Sequence, residues 1–403
     1  MQNHAPVIFS QPKRKEGLIL KKIISILTAV ILLLSTLSVG AFAKCCSCEK
    51  TQLRFNSDGS FKIIFVADIQ DTPYMAPAIA DYLEAICKSE KPDLIVLGGD
   101  NIASSCGKAA TQEIAEYQVR KGINNFMSVF EKLGIPVAAV FGNHDGERRV
   151  DKETQMKYYS RYSVFLGFDE GEEIYGCGNY NLPVLSSDGS KVAYNFWFFD
   201  SNMYDRELDG FDYVREDQVE NYVKLSDELK AANGGQPVPS MAFQHIAVSE
   251  IHEAVENGEW LFGEYNETPD CGATKSSQFE KMVEQGDVKA MFFGHNHANT
   301  FGVGYKGIDL VETPAAGFNL SDDNRGVRVI TINENDTSTY ETHLINYKET
   351  FCVDEISTAR YFMNASEIGE EAQFGYAFKY LMLTAKSFGN IFKVFYEIFC
   401  IIS

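Results

Sequence analysis

Short apolar runs that end in polar residues recur along the chain and constrain its fold more than any other feature. The first three cover Phe61–Ala67, Asp93–Leu97 and Val137–Phe141, and glycine or polar residues bound each of them. Their length and β-branched content predict buried strands. Helical patterns over Ala76–Lys88 and Ala110–Leu133 separate them. This alternation of strand and helix predicts an α/β fold with a parallel sheet and crossover helices.

The later part of the chain repeats the pattern less regularly. Further apolar runs cover Asn195–Phe199, Ser240–Gln244, Val288–Phe293, Val327–Ile332 and Thr339–Ile345. The last two runs are predicted to be antiparallel, because a tight turn at 334–336 joins them. The number of strands implies a second sheet, so we expect a mixed α/β or α+β architecture.

Polar residues with metal-binding side chains follow many of these strands. They are Asp68, Asp100, Asn143, His245, His295 and His297. In open α/β sheets the ligand site lies outside the carboxyl ends of the strands. Carboxylates and imidazoles that converge there suit transition metals. Two ions about 3.5–4 Å apart can activate a bound water and clamp both oxygens of a displacement at phosphorus.

Each motif alone is a weak signal, and the ordered set is specific. A single Asp at a strand end is more often a cap or turn residue, and Gly-x-His-x-His could be a polar turn. Only seven histidines occur in the chain. Four of them, His144, His245, His295 and His297, lie in these motifs, whereas His4, His252 and His343 are predicted to lie in a leader, a surface helix and an edge strand.

The ordered motifs resemble those of the calcineurin-like metallophosphoesterases over about residues 61–346. The matching segments are Asp68–Gln70, Gly99–Asn101, Gly142–Asp145, Gln244–His245 and Gly294–His297. The chain is most similar to the purple-acid-phosphatase-like branch, in which Gly178–Tyr180 also has a counterpart. The resemblance implies a four-layer αββα sandwich of two mixed β-sheets with a dimetal site at the strand ends. It also implies hydrolysis of a phosphate ester.

The resemblance divides the polar residues between two divalent or trivalent ions of iron, manganese or zinc. The ligands of the first ion would be Asp68, Gln70 and His297, those of the second would be Asn143, His245 and His295, and Asp100 would bridge the two. His144 would lie beyond the ligands and would protonate the leaving oxygen or stabilise charge on the phosphoryl oxygens.

The chain departs from the family pattern near the first two strands. Gln70 stands where the family usually has His, and an amide oxygen binds iron or zinc more weakly than imidazole does. The stretch Ile102–Cys106 has no Tyr, so we expect no ferric-tyrosinate chromophore. The same stretch lacks the Asp that often orients the catalytic His. Asp145 could orient the catalytic His in place of that Asp, and it is predicted to be catalytic.

Substrate contacts are less clearly marked. Arg148 and Arg149 follow the Asn-His turn and could bind a phosphate bidentately, or they could pair with surface acids. Tyr213 and Arg215 are expected to line the pocket, because their segment resembles a loop of this branch, although plain packing explains them too. With 36 basic and 56 acidic residues, the chain has a net charge of -20. This charge argues against a nucleic-acid-binding surface and favours a small phosphoester.

The N-terminal residues 1–43 read as a secretory signal or as an uncleaved membrane anchor. A basic stretch precedes the apolar run Ile23–Phe42, and the small-x-small pattern Ala41–Ala43 precedes Lys44. Either interpretation places the remaining chain outside the cytoplasm, secreted or associated with the cell envelope. Residues 44–60 form a short lead-in containing Cys45, Cys46 and Cys48. The other cysteines show no CxxC pair, which favours free thiols over a disulfide framework.

The phosphoesterase domain is expected to span 61–347, followed by a connector over 348–373 and a terminal helix over 374–403. Lys379, Lys386 and Lys393 recur every seven residues and therefore share one helical face. The helix could lie on a membrane or pack on the body of the protein.

The sequence leaves the oligomeric state open. The alternative to an exported phosphoesterase is a catalytically impaired metal-binding or membrane-associated cell-surface protein on the same fold.

Overall fold

The first sheet is built on three parallel strands at Ser60–Val66, Leu94–Gly98 and Val137–Val140. The computed structural model describes residues 51–70, 72–73, 77–103, 109–147, 149–169, 171, 173–318, 325–363 and 373–386. These residues all fall within the compact unit Lys50–Ser403. The predicted N-terminal signal, the three cysteines of the lead-in and Arg148 lie outside the described residues.

The strands are numbered in chain order. They are β1 (Ser60–Val66), β2 (Leu94–Gly98), β3 (Val137–Val140), β4 (Tyr180–Leu185), β5 (Val192–Phe198), β6 (Tyr204–Asp205), β7 (Gly210–Phe211), β8 (Ser240–Phe243), β9 (Glu259–Phe262), β10 (Val288–Phe293), β11 (Gly302–Tyr305), β12 (Ile308–Glu312), β13 (Gly326–Asn333) and β14 (Asp336–Asn346). The helices are α1 (Pro77–Glu90), α2 (Gln112–Leu133), α3 (Lys152–Tyr159), α4 (Glu216–Ala232), α5 (Glu250–Asn257), α6 (Gln278–Gln285), α7 (Tyr347–Phe351), α8 (Glu355–Phe362) and α9 (373–386).

Two mixed sheets carry the fold. The first has the strand order β14-β13-β1-β2-β3, and the second has the order β4-β5-β8-β10-β12-β11-β9. In the second sheet β5, β8, β10 and β12 run parallel, while β4, β11 and β9 are antiparallel to their neighbours. The predicted hairpin of β13 and β14 is antiparallel, as its tight turn requires. β6 and β7 form a separate two-stranded ribbon.

Helix α2 shows how local sequence sets these elements. Its N-cap is Thr111, whose side-chain oxygen accepts a hydrogen bond from the amide of Ile114, and its C-cap is Gly134 in the left-handed conformation at φ 69°. Between the caps, a buried face that includes Ile123 and Phe126 packs on the first sheet. The helix therefore begins and ends where its caps stand and covers one face of the sheet.

Apolar side chains fill three layers. One cluster joins the first sheet to α1 and α2, a second lies between the two sheets, and a third joins the second sheet to α4, α5 and α6. In the middle layer the fully buried ring of Phe243 stacks on Phe198 at 5.4 Å and on Phe292 at 5.5 Å, and lies 5.5 Å from Phe65. This arrangement confirms the predicted αββα sandwich.

The segment expected to be a connector contains α7 and α8. Phe362 of α8 stacks on Phe318 with ring centroids 4.4 Å apart, and Tyr376 of α9 lies 5.1 Å from Phe362. All three rings are buried. Within the segment predicted as a connector, Phe362 therefore packs α8 onto the body of the protein. None of the helices within the described ranges has the length and apolar character needed to cross a bilayer.

Replacing Phe243 with Ala is expected to lower the free energy of unfolding by about 3–5 kcal/mol, the usual cost of emptying a buried aromatic site. Chemical denaturation followed by circular dichroism measures this value. The matched control is Ile114→Ala on the exposed face of α2, where 47% of the residue is accessible; its effect should stay within about 0.5 kcal/mol. Similar losses in the two variants would contradict the central place of Phe243.

Candidate metal centre

The loops that follow β1, β2 and β3 in the first sheet, and β8 and β10 in the second, carry the predicted ligands to one place. Asp68, Gln70, Asp100 and His295 adopt left-handed backbone conformations, with φ between 45° and 67°. Such conformations are costly for residues other than glycine and persist where the surrounding structure enforces them. Hydrogen bonds between the loops do so here, since the Gln70 amide donates to the Asp100 carbonyl at 2.9 Å.

Two glycines leave room for the ligand side chains. A Cβ atom at Gly142 would lie 2.1 Å from Asp100 Oδ1, and one at Gly99 would lie 2.6 Å from His245 Nδ1. Both distances are far below a van der Waals contact. The glycines beside Asp100 and Asn143 are therefore required for the loops to approach each other this closely.

Three residues of the predicted second site form a tight cluster. Asp100, His245 and His295 each offer a ligand atom, and these atoms all lie within 4.8 Å of one another. His245 Nε2 lies 3.2 Å from Asp100 Oδ2. His245 Nδ1 lies 2.9 Å from the Gly98 carbonyl, which can only accept a hydrogen bond. That bond places the proton on Nδ1 and leaves Nε2 facing the cluster as a ligand atom.

The residues of the predicted first site adjoin this cluster. His297 Nε2 lies 3.4 Å from Asp68 Oδ1 and 3.3 Å from Gln70 Nε2. Asp68 Oδ2 accepts a hydrogen bond from the backbone amide of His295 at 3.0 Å, which ties the two loops together. Asp68 Oδ1 also lies 3.9 Å from His245 Nε2. Asp68 therefore stands between the two groups of ligands.

Buried ligand atoms without hydrogen-bond partners indicate what the cluster binds. Within the described part of the chain, Asp68 Oδ1, Asn143 Oδ1 and His245 Nε2 are buried and accept or donate no hydrogen bond. Leaving such atoms unpaired in a protein interior is costly. Bound cations would satisfy all three, and the mixture of carboxylate, amide and imidazole suits transition metals. The residues present therefore fit two metal ions.

The charges in the cluster act on its imidazoles in opposite directions. Burial disfavours a charge on His245, but the carboxylates of Asp100 and Asp68 outweigh burial and raise the pKa of His245 to about 10. Burial and the nearby positive charge of His245 lower the pKa of His295 to about 4. A metal ion competes with the proton for His245 Nε2, so metal binding releases that proton.

His144 lies at the edge of the cluster with its ring partly exposed. Its backbone amide donates to Asp100 Oδ1 at 2.7 Å, and its Nε2 lies 3.8 Å from Asp100 Oδ2. Its Nδ1 lies 3.0 Å from Glu147 Oε2. Glu147 was not predicted from the sequence, although an acidic residue three positions after the predicted proton donor could have indicated it.

Asp145, which the sequence predicts to be catalytic, binds backbone amides in the structure. Its carboxylate accepts hydrogen bonds from the backbone amides of Gly142 at 2.8 Å, Ile102 at 3.0 Å and Asn101 at 3.4 Å. Burial and the nearby charge of Asp100 raise the pKa of Asp145 to about 6. Asp145 therefore joins the loop after β2 to the loop after β3, because a buried carboxylate takes the nearest amide donors.

The predicted substrate contacts are engaged elsewhere. Arg215 donates to Asp205 Oδ2 at 2.8 Å and to Asp212 Oδ2 at 3.0 Å, and its guanidinium lies 5.2 Å from the ring centre of the half-buried Tyr213. Arg149 donates to the carbonyl of Ala109 on the surface. Neighbouring acceptors hold both side chains in this structure, and substrate binding by Arg149 and Arg215 stays a prediction.

A cavity of about 310 Å³ was not anticipated from the sequence. Its lining residues include Gly146, Lys152, Tyr175, Asp200, Tyr204 and Asp212. Lys152 and Asp200 form a buried ion pair at 2.7 Å. Lys152 gave no signal, because it stands at the start of a polar helix. Phe211, next to Asp212, packs its ring edge-on at 4.5 Å from the ring of His295, so this region adjoins the cluster.

Comparison with known proteins agrees with the fold and the cluster. The calcineurin-like phosphoesterase family model matches residues 61–299. "Probable inactive purple acid phosphatase 14" of Arabidopsis thaliana is 31% identical over 72% of this chain and 77% of the plant protein. "Serine/threonine-protein phosphatase CPPED1" of Bos taurus is 31% identical over 62% of this chain and 67% of its own length.

Among solved structures, a dimetal phosphatase from Danio rerio aligns with 71% of this chain and 99% of its own, at 12% identity and a TM-score of 0.45. The sequence matches and the ligand cluster define a metal-dependent hydrolase of phosphoester bonds. The chain belongs to the calcineurin-like phosphoesterase family, and its relatives include purple-acid-phosphatase-like proteins. Membership implies two metal ions at the centre, as the resemblance predicted.

Gly142→Ala is expected to weaken metal binding roughly 10- to 100-fold, because the new methyl group must displace the Asp100 carboxylate at a cost of about 1–3 kcal/mol. Isothermal titration of chelator-treated protein with manganese or zinc measures the affinity. Gly304→Ala, in β11, is the matched control, since the added Cβ would lie 3.3 Å from the nearest atom of another part of the chain. Unchanged affinity in Gly142→Ala would contradict the packing described above.

Proposed function

We propose that the protein hydrolyses a small phosphate ester outside the cytoplasm, with His144 as proton donor or charge stabiliser. The observation that carries the proposal is the convergence of unpartnered, buried ligand atoms beside a partly exposed imidazole. Membership of the phosphoesterase family supports the reaction class. The acidic surface supports a small substrate, because a large polyanion would be repelled away from the centre.

Bound metal ions would supply a nucleophile from water near neutral pH and neutralise charge on the phosphoryl group. The chain supplies position and a proton. The carboxylates of Asp68 and Asp100 would hold the positive charge of the metal ions where the two sheets meet. The Gly98 carbonyl fixes the orientation of the His245 ring. The proposed identity of the ions is iron, manganese or zinc, and Gln70 weakens the preference for iron or zinc at the first site.

The proton for the leaving group comes from His144 in this mechanism. The oxygen of water bonds to phosphorus as the water loses one proton to solvent, and the bond between phosphorus and the leaving oxygen breaks with its electron pair on that oxygen. The leaving oxygen takes the proton from His144 Nε2, the ring atom that faces Asp100. His144 then regains a proton from solvent. The exposed part of the ring gives it access to both substrate and water.

A catalytically impaired binding protein is the second candidate. Two observations favour it: Gln70 replaces the usual His, and the plant relative is named inactive. His144 opposes it, because a protein that only binds metal has no use for a proton donor beside the ligands. The two candidates predict the same metal content and differ in turnover.

Chelated protein should gain hydrolysis of p-nitrophenyl phosphate or bis-p-nitrophenyl phosphate when manganese, iron or zinc is restored. His144→Ala should lower kcat about 100-fold or more, the usual contribution of general acid catalysis, and Asp100→Asn should abolish metal-dependent turnover. His252→Ala, at an exposed position of α5, is the matched control. Unchanged turnover in His144→Ala or Asp100→Asn would refute the site assignment. Failure to cleave either ester with any metal would favour the impaired protein.

Export and membrane contact belong to the same proposal. The basic and apolar stretches of 1–43, with the small-x-small pattern before Lys44, support a secretory signal. In α9 the large apolar side chains of Phe374, Phe378 and Leu381 are 58–75% exposed and lie on one face. Such a face supports contact with a membrane interface.

Cells that express the whole chain with a C-terminal tag should export a protein whose first residue is Lys44, because signal peptidase cleaves after small residues. N-terminal sequencing and cell fractionation measure this. Removal of residues 374–403 should shift the exported protein from the membrane fraction to the soluble fraction. Retention of the tag in the cytoplasm would contradict export, and unchanged fractionation on truncation would contradict the role of α9.

A further inference from the structure

We propose that Glu147 positions the His144 ring for proton transfer. The proposal rests on the proposed function, since it assigns Glu147 to the proton donor of that reaction. Glu147 Oε2 lies 3.0 Å from His144 Nδ1, within ion-pair distance, although the atoms are not aligned for a hydrogen bond. Each of the two side chains is 31% exposed.

The two nitrogens of the His144 ring face different partners. Nε2 points toward Asp100 Oδ2 at 3.8 Å, on the side of the metal ligands, and Nδ1 points toward Glu147. The His144 backbone amide is itself bonded to Asp100 Oδ1, so the main chain on which the ring stands is fixed. A carboxylate on one nitrogen of an imidazole holds the ring in one orientation, so that the other nitrogen can exchange a proton with substrate.

The other nearby carboxylates are committed to different partners. Asp145 accepts three backbone amides from the loops after β2 and β3. Asp100 lies among the metal ligands and contacts His245. In the described residues 101–103, which follow Asp100, there is no acid at all. Glu147 is therefore the carboxylate that lies against the His144 ring, and both residues belong to the turn after β3.

Glu147 acts through His144 and does not contact the reacting atoms, so it is a positioning residue. Its effect must depend on how much the leaving group needs a proton. A nitrophenolate ion leaves readily without one, whereas a phenolate or an alkoxide does not. Removing the charge of Glu147 should therefore affect poor leaving groups most, which loss of general stability or metal would not do.

Glu147→Gln is expected to lower kcat for phenyl phosphate about 10- to 100-fold, a fraction of the whole effect of a general acid. For p-nitrophenyl phosphate the loss should be several-fold smaller, and KM should change little for either ester. Glu147→Asp should recover part of the loss. Glu113→Gln, at an exposed position in the first turn of α2, is the matched control and should leave both esters unaffected. Equal losses on both esters would overturn the proposal.

A double-mutant cycle tests whether the two residues act as one unit. Adding Glu147→Gln to His144→Ala should cause no further loss, because residues that act together are strongly non-additive. A full additional loss would place Glu147 in another role. Thermal unfolding and metal content of each variant should match the unmodified protein.

Nitrogen NMR of the histidine-labelled, metal-free protein gives a readout independent of turnover. Glu147→Gln should shift the His144 Nδ1 resonance, assigned by its absence in His144→Ala, and Glu147→Asp should restore part of the shift. An unchanged resonance would refute the contact. If the unmodified, metal-loaded protein cleaves no ester but the resonance shifts, the proposed function fails while the positioning contact stands.

Discussion

Two buried carboxylates that share one imidazole are the interaction on which the architecture depends. Asp68 and Asp100 follow neighbouring strands of the first sheet, and His245 follows a strand of the second. Their contacts join the ends of the two sheets above the aromatic layer around Phe243. Groups of this kind cannot be buried together unless their charges are balanced. The centre therefore acts as both the site of chemistry and the polar junction of the sandwich.

The same constraint explains the irregular backbone around the centre. Five loops come together here. Their close approach requires left-handed conformations at Asp68, Gln70, Asp100 and His295, and it requires a residue without a Cβ atom at Gly142. Backbone hydrogen bonds between the loops offset the free energy that these conformations cost. The Asp145 carboxylate adds hydrogen bonds from the backbone amides of Asn101, Ile102 and Gly142. Asp145 thus joins the loops, whereas Glu147 lies beside the ring of His144, the proposed proton donor.

Much of the fold could be predicted, because local signals and packing agree where strands are long and apolar. The run Val288–Phe293 is a strand over its whole predicted length, and the pairing of β13 with β14 follows from their turn. The short strands at the edge of the second sheet were not predicted, since two of the four residues of Gly302–Tyr305 are glycines and Glu259–Phe262 is only four residues long. The partners of Arg215 could not be predicted either, because the sequence does not show that the carboxylates of Asp205 and Asp212 lie beside its guanidinium.

By itself the sequence indicated two sheets through its periodicity. The order of its short motifs indicated the family, the αββα sandwich that the family implies, and the candidate ligand side chains. Only the tertiary structure decided which carboxylate serves which partner. Asp145 and Glu147 stand two residues apart in one turn, yet one faces backbone amides and the other faces His144. Residue type and spacing do not encode that direction. It is set by the contacts of a turn with loops that are distant in the chain.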